Sequence, residues 1–397
     1  MKIFLLTPIY AISTGKNAQT PVVHYFAKEW VKQGHEVHVL HFQAKYPLPF
    51  YWIGRLFRQQ LVSRLSVAIP TEVPKEEDTV KDGVNIHSYV LKKTWPHAPY
   101  SQRSLQIGMR LIDEACKRFG VPDIFIGHWD NPQLQMLTET KKKYGVKTAL
   151  VLHSNTFNLR EKYGTEAEQM LRGIDYLGFR NKCALEVFRK TYFEPKHSFI
   201  AYSGVAEEFV KAGQKHSINW KDNYRGFIFV GMLMTRKYPA EIVAAIFKEG
   251  KKNETITYIG DGAEKAHIEE ETHKYDCSDR VIFTGRIPRS EVISYLKESH
   301  YFVMISKDEI FGLVYLEAMA LGLIPIGSRG EGIDGIIIDG ENGFLCEAGN
   351  AQELAEIVSK LREMPVEELE AMSERAKTTA QRFTDAEVAR RYLEELV

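Results

Sequence analysis

The sequence predicts an α/β protein with two doubly wound, Rossmann-like domains. Three observations predict this fold class: short apolar runs alternate with helical stretches, the alternation starts again in the second half, and 397 residues exceed the usual size of one hydrophobic core. Hydrophobic residues make up 44% and charged residues 26% of the chain, which is ordinary for a globular protein and excludes extended disorder.

The first domain is predicted over residues 1–206. Its first apolar run, 3–6, is too short for the core of an export signal and is predicted to be a strand. Further strands are predicted at 36–42, 85–90, 123–127 and 148–152. Because helical stretches separate these runs, we expect a parallel sheet with helices on both faces.

The second domain is predicted over residues 207–380. Its strands are predicted at 227–231, 255–259, 281–284, 301–305 and 323–326. The polar composition of 207–225 predicts an interdomain linker. After residue 351 the periodicity is helical, and the last segment, 381–397, is predicted to be a helix that is free to cross back onto the first domain.

Charge and cysteine content exclude several classes of protein. Lysine plus arginine equal aspartate plus glutamate at 52 each, so the overall basic field of a general nucleic-acid binder is missing. The four cysteines form no Cys-x-x-Cys motif, which leaves a zinc or redox site without support. No apolar run approaches the ~18 residues of a membrane span. We therefore expect a cytoplasmic protein with reduced thiols.

The strongest local signal is a pair of carboxylates, Glu309 and Glu317, on either side of Gly312. Glu317 lies in an apolar helix, where an ionised carboxylate is costly unless polar partners reach it. Gly312 opens that helix and lacks the Cβ that would keep an anion from its N-terminus. Other candidates follow predicted strands, where parallel sheets place ligands. They are Gly15 in the loop 7–20, His128, His153, Gly231 to Lys237, Gly260 and Arg286.

With these pieces in order, the sequence resembles the retaining, nucleotide-sugar-dependent glycosyltransferases of family 4. That family has the GT-B fold, in which two Rossmann-like domains face each other across a cleft. The resemblance rests on short motifs in fixed order: Glu309-x7-Glu317 with Phe311-Gly312-Leu313 inside it, Phe229-Val-Gly231 with Lys237, Ile259-Gly-Asp-Gly262, Phe283-Thr-Gly285, Tyr202-Ser-Gly-Val205 and Gly34-His-Glu-Val37.

The resemblance implies catalytic roles for three residues. Glu309 would lie beside the transferred sugar and support the positive charge at its anomeric carbon. Lys237 would hold the diphosphate and neutralise the charge that grows on it as the glycosidic bond breaks. His128 would touch the sugar from the first domain. His153 is interpreted as structural.

The resemblance also implies a donor-binding set. Glu317 would accept hydrogen bonds from the ribose, Gly15 would let backbone N–H groups approach the diphosphate, and Arg286 with Ile287 would frame the base. The remaining predicted donor-binding residues belong to the matched motifs or lie beside them; they are Gly231, Arg236, Gly260, Phe311, Gly312 and Leu313. The chain departs from the family at Met232, where an arginine is usual, and Arg236 is a candidate to supply that charge.

The implied activity is transfer of a sugar from a UDP- or GDP-sugar to a glycan or lipid-linked acceptor, with retention, in surface polysaccharide assembly. No Asp-x-Asp occurs, so we expect metal independence and no cofactor, with the nucleotide-sugar as substrate. Two alternatives stay open: a nucleotide-sugar epimerase of the same fold, and a non-catalytic sugar-nucleotide-binding or glycan-binding protein.

One segment suggests a peripheral membrane contact at the inner face of the membrane. Residues 37–71 contain no Asp or Glu, and basic residues alternate there with aromatic and aliphatic ones. They include Lys45, Tyr46, Phe50, Tyr51, Trp52, Arg55, Phe57, Arg58, Leu61 and Arg64. Such a pattern suits an anionic lipid surface, and it equally suits a partly buried loop and helix that cover the first sheet.

Overall fold

The computed structural model describes residues 1–10, 21–53, 72–96, 98–222, 225–248 and 253–397. The contacts divide the chain into two compact units. Unit 1 comprises Met1–Arg180, Ala184–Ala201 and Val388–Val397, and unit 2 comprises Asn181–Cys183 and Tyr202–Glu387. Each unit contains one sheet covered by helices, which confirms the predicted α/β fold class.

The described part of unit 1 has an eight-stranded sheet in the order β3-β4-β2-β1-β5-β6-β7-β8. The strands are β1 Lys2–Thr7, β2 Glu36–Lys45, β3 Glu77–Lys81, β4 Val84–Lys92, β5 Ile124–His128, β6 Lys147–Leu152, β7 Tyr176–Phe179 and β8 Ser198–Ile200. All pairs are parallel except β3 with β4, and Leu5 lies between Val39 and Ile126. The central strand β1 is apolar and buried from Ile3 to Leu6, as expected for a parallel sheet that helices cover on both faces.

The helices of unit 1 include Val22–Lys32, Gln102–Phe119, Gln133–Tyr144, Leu159–Tyr163, Glu166–Gly173 and most of Lys182–Thr191. The last helix, Asp385–Glu394, begins in unit 2, and its residues from Val388 onward belong to unit 1. Trp30 holds the end of this helix in unit 1. Its ring makes an edge contact with the Tyr392 ring, and its indole N–H donates to the Ala389 carbonyl at 2.9 Å.

Unit 2 has a six-stranded parallel sheet among its described residues, in the order β11-β10-β9-β12-β13-β14. The strands are β9 Arg225–Val230, β10 Glu254–Ile259, β11 Val281–Gly285, β12 Tyr301–Val303, β13 Ile324–Ser328 and β14 Phe344–Cys346. The helices include Glu207–Gln214, Pro239–Phe247, Lys265–Lys274, Arg289–Lys297, Leu313–Ala320, Ala351–Glu363 and Val366–Gln381. Short 3₁₀ turns occupy Thr235–Lys237 and Ser278–Arg280.

Part of the fold differs from the sequence prediction. The predicted linker 207–225 belongs to unit 2. It includes the helix Glu207–Gln214 and the buried residues Phe209 and Trp220, so it packs within that unit. Strands β3, β7, β8 and β14 were not predicted. The last three have only three or four residues, and β3 is a polar edge strand, so none carries a clear apolar run.

The strand order positions the candidate site. In unit 2, β9 lies between β10 and β12, so the connections from β9 and β12 leave in opposite directions. A crevice opens at such a topological switch point, beyond the carboxyl ends of the strands, and ligands bind there in open α/β sheets. Unit 1 has the same arrangement at β1 and β5.

Candidate functional site

The loop after β9 brings Lys237 to the switch point of unit 2. Its backbone closes a 3₁₀ turn in which the Lys237 N–H donates to the Met234 carbonyl at 2.9 Å. The Lys237 ammonium lies 3.3 Å from the Met304 sulfur and 3.3 Å from Glu309 Oε2, and 12% of the side chain is exposed. Burial lowers the pKa of Lys237 from its ordinary value, and the Glu309 charge partly opposes that effect.

The loop after β12 holds Glu309 in a defined position. The Glu309 N–H donates to Glu331 Oε2 at 2.8 Å, and the Glu309 carbonyl accepts from Gly332 N–H at 2.9 Å. Arg236 Nη1 lies 3.3 Å from Glu309 Oε2 and donates to the carbonyls of Lys307 and Asp308 at 3.1 and 3.3 Å. The carboxylate is therefore fixed by contacts from two neighbouring loops.

Two cations of this group approach the same carboxylate. Lys237 and Arg236 both lie near one oxygen of Glu309. Burial raises the pKa of the neighbouring Glu331 carboxyl group. Cations in a half-buried site attract a multiply charged anion more strongly than the same cations in bulk water would.

Two glycines allow the loops to approach closely at the carboxyl edge of the sheet. Gly231 N–H donates to the Ile259 carbonyl and Gly260 N–H to the Gly285 carbonyl, each at 2.8 Å. A Cβ at Gly260 would lie 1.9 Å from the Gly231 carbonyl oxygen, and one at Gly231 would lie 3.1 Å from the Lys237 ammonium. Side chains at Gly231 and Gly260 would therefore occupy the space that the loops and Lys237 need.

Glu317 has the polar partner that its apolar helix required. Arg289, at the start of the helix after β11, donates to Glu317 Oε1. Glu317 is buried, and desolvation raises the pKa of its carboxyl group although Arg289 acts in the opposite direction. Arg289 thus orients Glu317. Because the ionised carboxylate is desolvated, a further hydrogen-bond donor would stabilise it.

The other predicted donor-binding residues of unit 2 lie at the ends of β11 and β12. Arg286 is exposed and Ile287 packs partly against the core. Phe311 is buried, while Leu313 is half-buried in the first turn of its helix. Gly312 precedes that helix with φ +73°, a conformation that favours glycine.

Sequence reasoning missed two residues of this site, Arg289 and Glu331. Arg289 could have been predicted, because the buried Glu317 required a polar partner and Arg289 lies close in the chain to the candidate Arg286. Glu331 belongs to no motif and follows β13, so only the fold brings its carboxylate to the Glu309 N–H.

The structure places His128 inside unit 1 at the end of β5. It has no exposed surface, its Nδ1 lies 2.8 Å from His153 Nε2, and its Nε2 lies 3.3 Å from the Tyr392 hydroxyl. Burial and the nearby Arg180 charge hold the pKa of His128 well below its ordinary value, so the ring is neutral. One tautomer satisfies the chain, with Tyr392 donating to His128 and His128 to His153. His153 is the more exposed of the two rings. Gly15 lies outside the described residues.

Metal ligands are not grouped in the described part of the chain. His, Cys, Asp and Glu side chains form no cluster of three that could hold a metal ion there. None of the described helices combines the length and apolar character needed to span a membrane.

Part of the chain matches a known protein family. Residues 210–379 match the family model described as glycosyl transferases group 1. The N-acetyl-alpha-D-glucosaminyl L-malate synthase of Bacillus anthracis is 35% identical over 139 residues, which cover 34% of this chain and 35% of that protein. An uncharacterized glycosyltransferase of Methanocaldococcus jannaschii is 26% identical over 288 residues, which cover 72% of this chain and 77% of that protein.

Structural similarity extends over the whole chain. The crystal structure of Anabaena Alr3699/HepE in complex with UDP has a TM-score of 0.67 and 16% sequence identity, and the alignment covers 100% of this chain and 99% of that one. The sequence match to the Bacillus enzyme spans only about a third of its length, and the family match lies within unit 2. Motifs, family match and fold agree. Residues 210–379 are similar to the group 1 glycosyl transferases, and the chain has the GT-B fold.

Proposed function

We propose that this protein transfers a sugar from a UDP- or GDP-sugar to a glycan or lipid-linked acceptor, with retention at the anomeric carbon. One observation carries the proposal. At the switch point of unit 2, Lys237 and Arg236 face the same oxygen of Glu309, each at 3.3 Å. This arrangement offers positive charge to a diphosphate and a carboxylate to a sugar, which are the two chemical needs of glycosyl transfer.

The donor is proposed to be a nucleoside diphosphate sugar. Glu317 supports this, since a buried carboxylate oriented by Arg289 suits the two vicinal hydroxyls of a ribose. The UDP bound in the Anabaena structure supports a uridine nucleotide as one candidate. Gly231 also supports a diphosphate contact, because a Cβ there would lie 3.1 Å from the Lys237 ammonium and would hinder an anion from approaching it.

The chemical step follows from these charges. As the glycosidic bond breaks, negative charge grows on the diphosphate, and the Lys237 ammonium stabilises it without rearrangement. Positive charge grows at the anomeric carbon, where the Glu309 carboxylate stabilises it. With retention, acceptor and leaving group share one face of the sugar, so the departing phosphate oxygen can accept the proton of the acceptor hydroxyl.

The family usually has an arginine at the position of Met232, and Arg236 supports the proposal that a nearby residue supplies this positive charge. Met232 is 39% exposed and offers no charge. The Arg236 guanidinium instead contacts Glu309 and the carbonyls of Lys307 and Asp308. We propose that Arg236 serves the diphosphate together with Lys237, which would make the reaction independent of a divalent metal. Unchanged turnover in excess EDTA is the expected result, and loss of turnover that Mg²⁺ restores would contradict it.

A two-stage assay tests the main proposal. First, a thermal-shift screen against UDP, GDP, ADP and their sugars should identify one nucleotide that raises the melting temperature, because a ligand selective for the native state stabilises it. Second, the selected donor sugar is incubated with and without glycan acceptors. Product only with acceptor supports transfer, donor conversion without acceptor identifies an epimerase, and binding without turnover under every acceptor identifies a non-catalytic binding protein.

We further propose that unit 1 contacts an anionic membrane surface, in a role in surface polysaccharide assembly. Trp52 is 70% and Trp95 61% exposed, and Phe50 links them through a ring contact with Trp95 at 5.2 Å. Leu48 and Ile53 are also exposed, as is Lys45, which is close to them in the chain. Aromatic and cationic side chains together suit a lipid head-group region.

Part of the segment named in the sequence analysis does not belong to this surface. Tyr51 is buried, and its hydroxyl accepts from the Tyr46 N–H at 2.9 Å, so its place in the lipid-facing set was wrong. Arg55, Phe57, Arg58, Leu61 and Arg64 lie outside the described residues. Flotation with anionic and with neutral vesicles tests the membrane proposal. Binding to anionic vesicles that Trp52→Ala/Trp95→Ala removes and Val80→Ala preserves supports it, and no binding in either case overturns it.

A further inference from the structure

A second cationic group lies in unit 1, at the carboxyl edge of its sheet. Lys93 directly follows β4 and is half-buried, with its ammonium 4.8 Å from the centre of the Tyr100 ring. Burial, together with the charge of Lys162, lowers the pKa of Lys93 to about 8. Among the residues that the structure describes, no carboxylate lies within ion-pair distance of this ammonium.

The one carboxylate that influences Lys93 is already paired. Asp130 Oδ2 lies 2.6 Å from the Lys162 ammonium and accepts from the Tyr163 hydroxyl at 3.1 Å. Lys162 and Asp130 are both mostly buried, so their charges offset each other within the group. The positive charge of Lys93 is therefore not offset by a carboxylate of the described residues. The face of an aromatic ring stabilises a cation less than a carboxylate does.

Buried polar atoms without described protein partners follow Asp130 in the chain. Asn131 Nδ2 donates to the Ala98 carbonyl at 3.0 Å, which joins the loop after β4 to the loop after β5. That bond fixes the amide orientation, and the buried Asn131 Oδ1 has no partner among the described residues. The amide of Gln133, whose side chain is fully buried, has neither its oxygen nor its nitrogen bonded there. Buried polar atoms are costly unless water or a ligand pairs with them.

Structural lysines in the same unit look different. The Lys141 ammonium pairs with Asp175, and the Lys162 ammonium lies 2.6 Å from Asp130, so each of these partly buried lysines has a carboxylate. Lys93 is also partly buried, yet its ammonium lies against the face of the Tyr100 ring. A lysine that served only packing or solubility would either pair in this way or extend its ammonium into water.

We propose that Lys93, Lys162 and Asn131 form an acceptor subsite that binds an anionic group, a phosphate or a carboxylate, on the molecule that receives the sugar. This inference rests on the proposed transferase function and specifies its acceptor class. The anion would pair with the Lys93 ammonium and share Lys162 with Asp130, while Asn131 Oδ1 would accept a hydrogen bond from an acceptor hydroxyl. Residues from the segments that follow β4, β5 and β6 of unit 1 would thereby select acidic acceptors over neutral glycans.

Site-resolved acetylation tests the subsite without knowledge of the acceptor. Because the pKa of Lys93 is about 8, acetic anhydride at pH 8 should modify Lys93. The exposed neighbour Lys92 is the internal reference. Inorganic pyrophosphate represents a phosphate-bearing acceptor and citrate a carboxylate-bearing one. Saturable protection of Lys93 but not Lys92 by either probe supports the proposal, and the protecting probe identifies the anion. Protection by neither probe at tens of millimolar overturns it.

Variants provide the second readout. Lys93→Met should weaken binding of the protecting anion by roughly ten-fold or more, because a charged hydrogen bond is lost. Lys93→Arg should retain most of the binding, and Lys92→Met, which changes the net charge equally, should leave it unchanged. The melting temperature gained with UDP or GDP should be the same in all three variants. Failure of the subsite would therefore leave nucleotide binding intact, whereas failure of the proposed function would remove it. Equal anion binding by Lys93→Met and Lys92→Met would contradict the subsite.

Discussion

The Lys237 ammonium lies 3.3 Å from Glu309 Oε2, and the two residues come from the loops after β9 and β12, neighbouring strands of the unit 2 sheet. Strand order explains why they meet. Connections leave these strands in opposite directions, so both loops line the space between. The pair places a cation and an anion side by side, where the proposed diphosphate-sugar donor would develop opposite charges during transfer.

Lys237→Met should reduce transfer by roughly 10²–10³-fold, since it removes a preorganised donor to the growing negative charge. Lys237→Arg keeps the charge and should retain part of the activity. Lys248→Met alters an exposed lysine of unit 2 and is the matched control. Steady-state rates with saturating donor provide the measurement. Wild-type turnover in Lys237→Met would exclude the assigned role.

The pH dependence of nucleotide affinity should report on Lys237. Burial lowers the pKa of Lys237, so its charge is lost at a lower pH than that of an ordinary lysine. Affinity for the diphosphate should therefore weaken as pH rises through that lowered value. Calorimetric titration between pH 6 and about 10 checks this pH dependence of affinity, because an ordinary lysine keeps its proton over that range. In Lys237→Arg the decline should disappear, and a decline that persists there would assign it to another group.

Glu309→Gln should reduce transfer by about 10²-fold or more while nucleotide affinity changes little, because the lost charge acts at the anomeric carbon. Glu331→Gln should have a smaller effect on turnover. Its amide oxygen can still accept from the Glu309 N–H, a bond of 2.8 Å in the native protein. Glu331→Leu removes that acceptor. It should lower the turnover number strongly and change the Michaelis constant for the donor less. Equal behaviour of the two Glu331 variants would refute a positioning role.

Glu317→Gln should separate stability from binding. Burial raises the folded-state pKa of Glu317 above its unfolded value, so the stability from this group is present at acid pH and is lost as pH rises through the folded pKa. Removal of the charge should therefore maintain or raise the melting temperature at pH 7. Nucleotide affinity should fall by about ten-fold, because a neutral amide accepts hydrogen bonds from hydroxyls more weakly. Calorimetry gives both quantities, and unchanged affinity would exclude a ribose contact.

Gly312→Ala should destabilise unit 2 by about 1–3 kcal/mol more than a matched glycine change, because the added carbon overpacks a filled site. A Cβ there would lie 2.7 Å from the Tyr315 ring and 3.2 Å from Met304 Cε. Gly330 has a similar φ of +76° and nothing within 4 Å of its Cβ position. Gly330→Ala therefore measures backbone strain alone. Equal unfolding free energies for the two variants in urea would show that the Tyr315 contact is unimportant.

Much of the candidate site was visible in the sequence. Lys237 and Glu309 were selected from motifs and Arg236 from its position beside Lys237, and the structure places all three within one ion-pair group. Arg289 and Glu331 were missed because each contributes a single side chain to a partner distant along the chain. The roles of all these residues in catalysis stay predictions until the variants above are measured.

His128 shows the limit of motif reasoning. Its position after β5 was predicted, but its complete burial between His153 and Tyr392 was not. Tyr392 reaches it only because the C-terminal segment from Val388 belongs to unit 1. Nothing in the local pattern around residue 128 encodes a partner located near the end of the chain.

By itself, the sequence determined where most strands lie, that they alternate with helices, and which loops follow their carboxyl ends, since apolar periodicity is a local property of the chain. Only the tertiary structure decided which side chains from those loops pair, as with Arg289 and Glu317 or Lys93 and its unpaired charge. The physical reason is that strand order brings together distant residues, and burial then sets the strength of every charge among them.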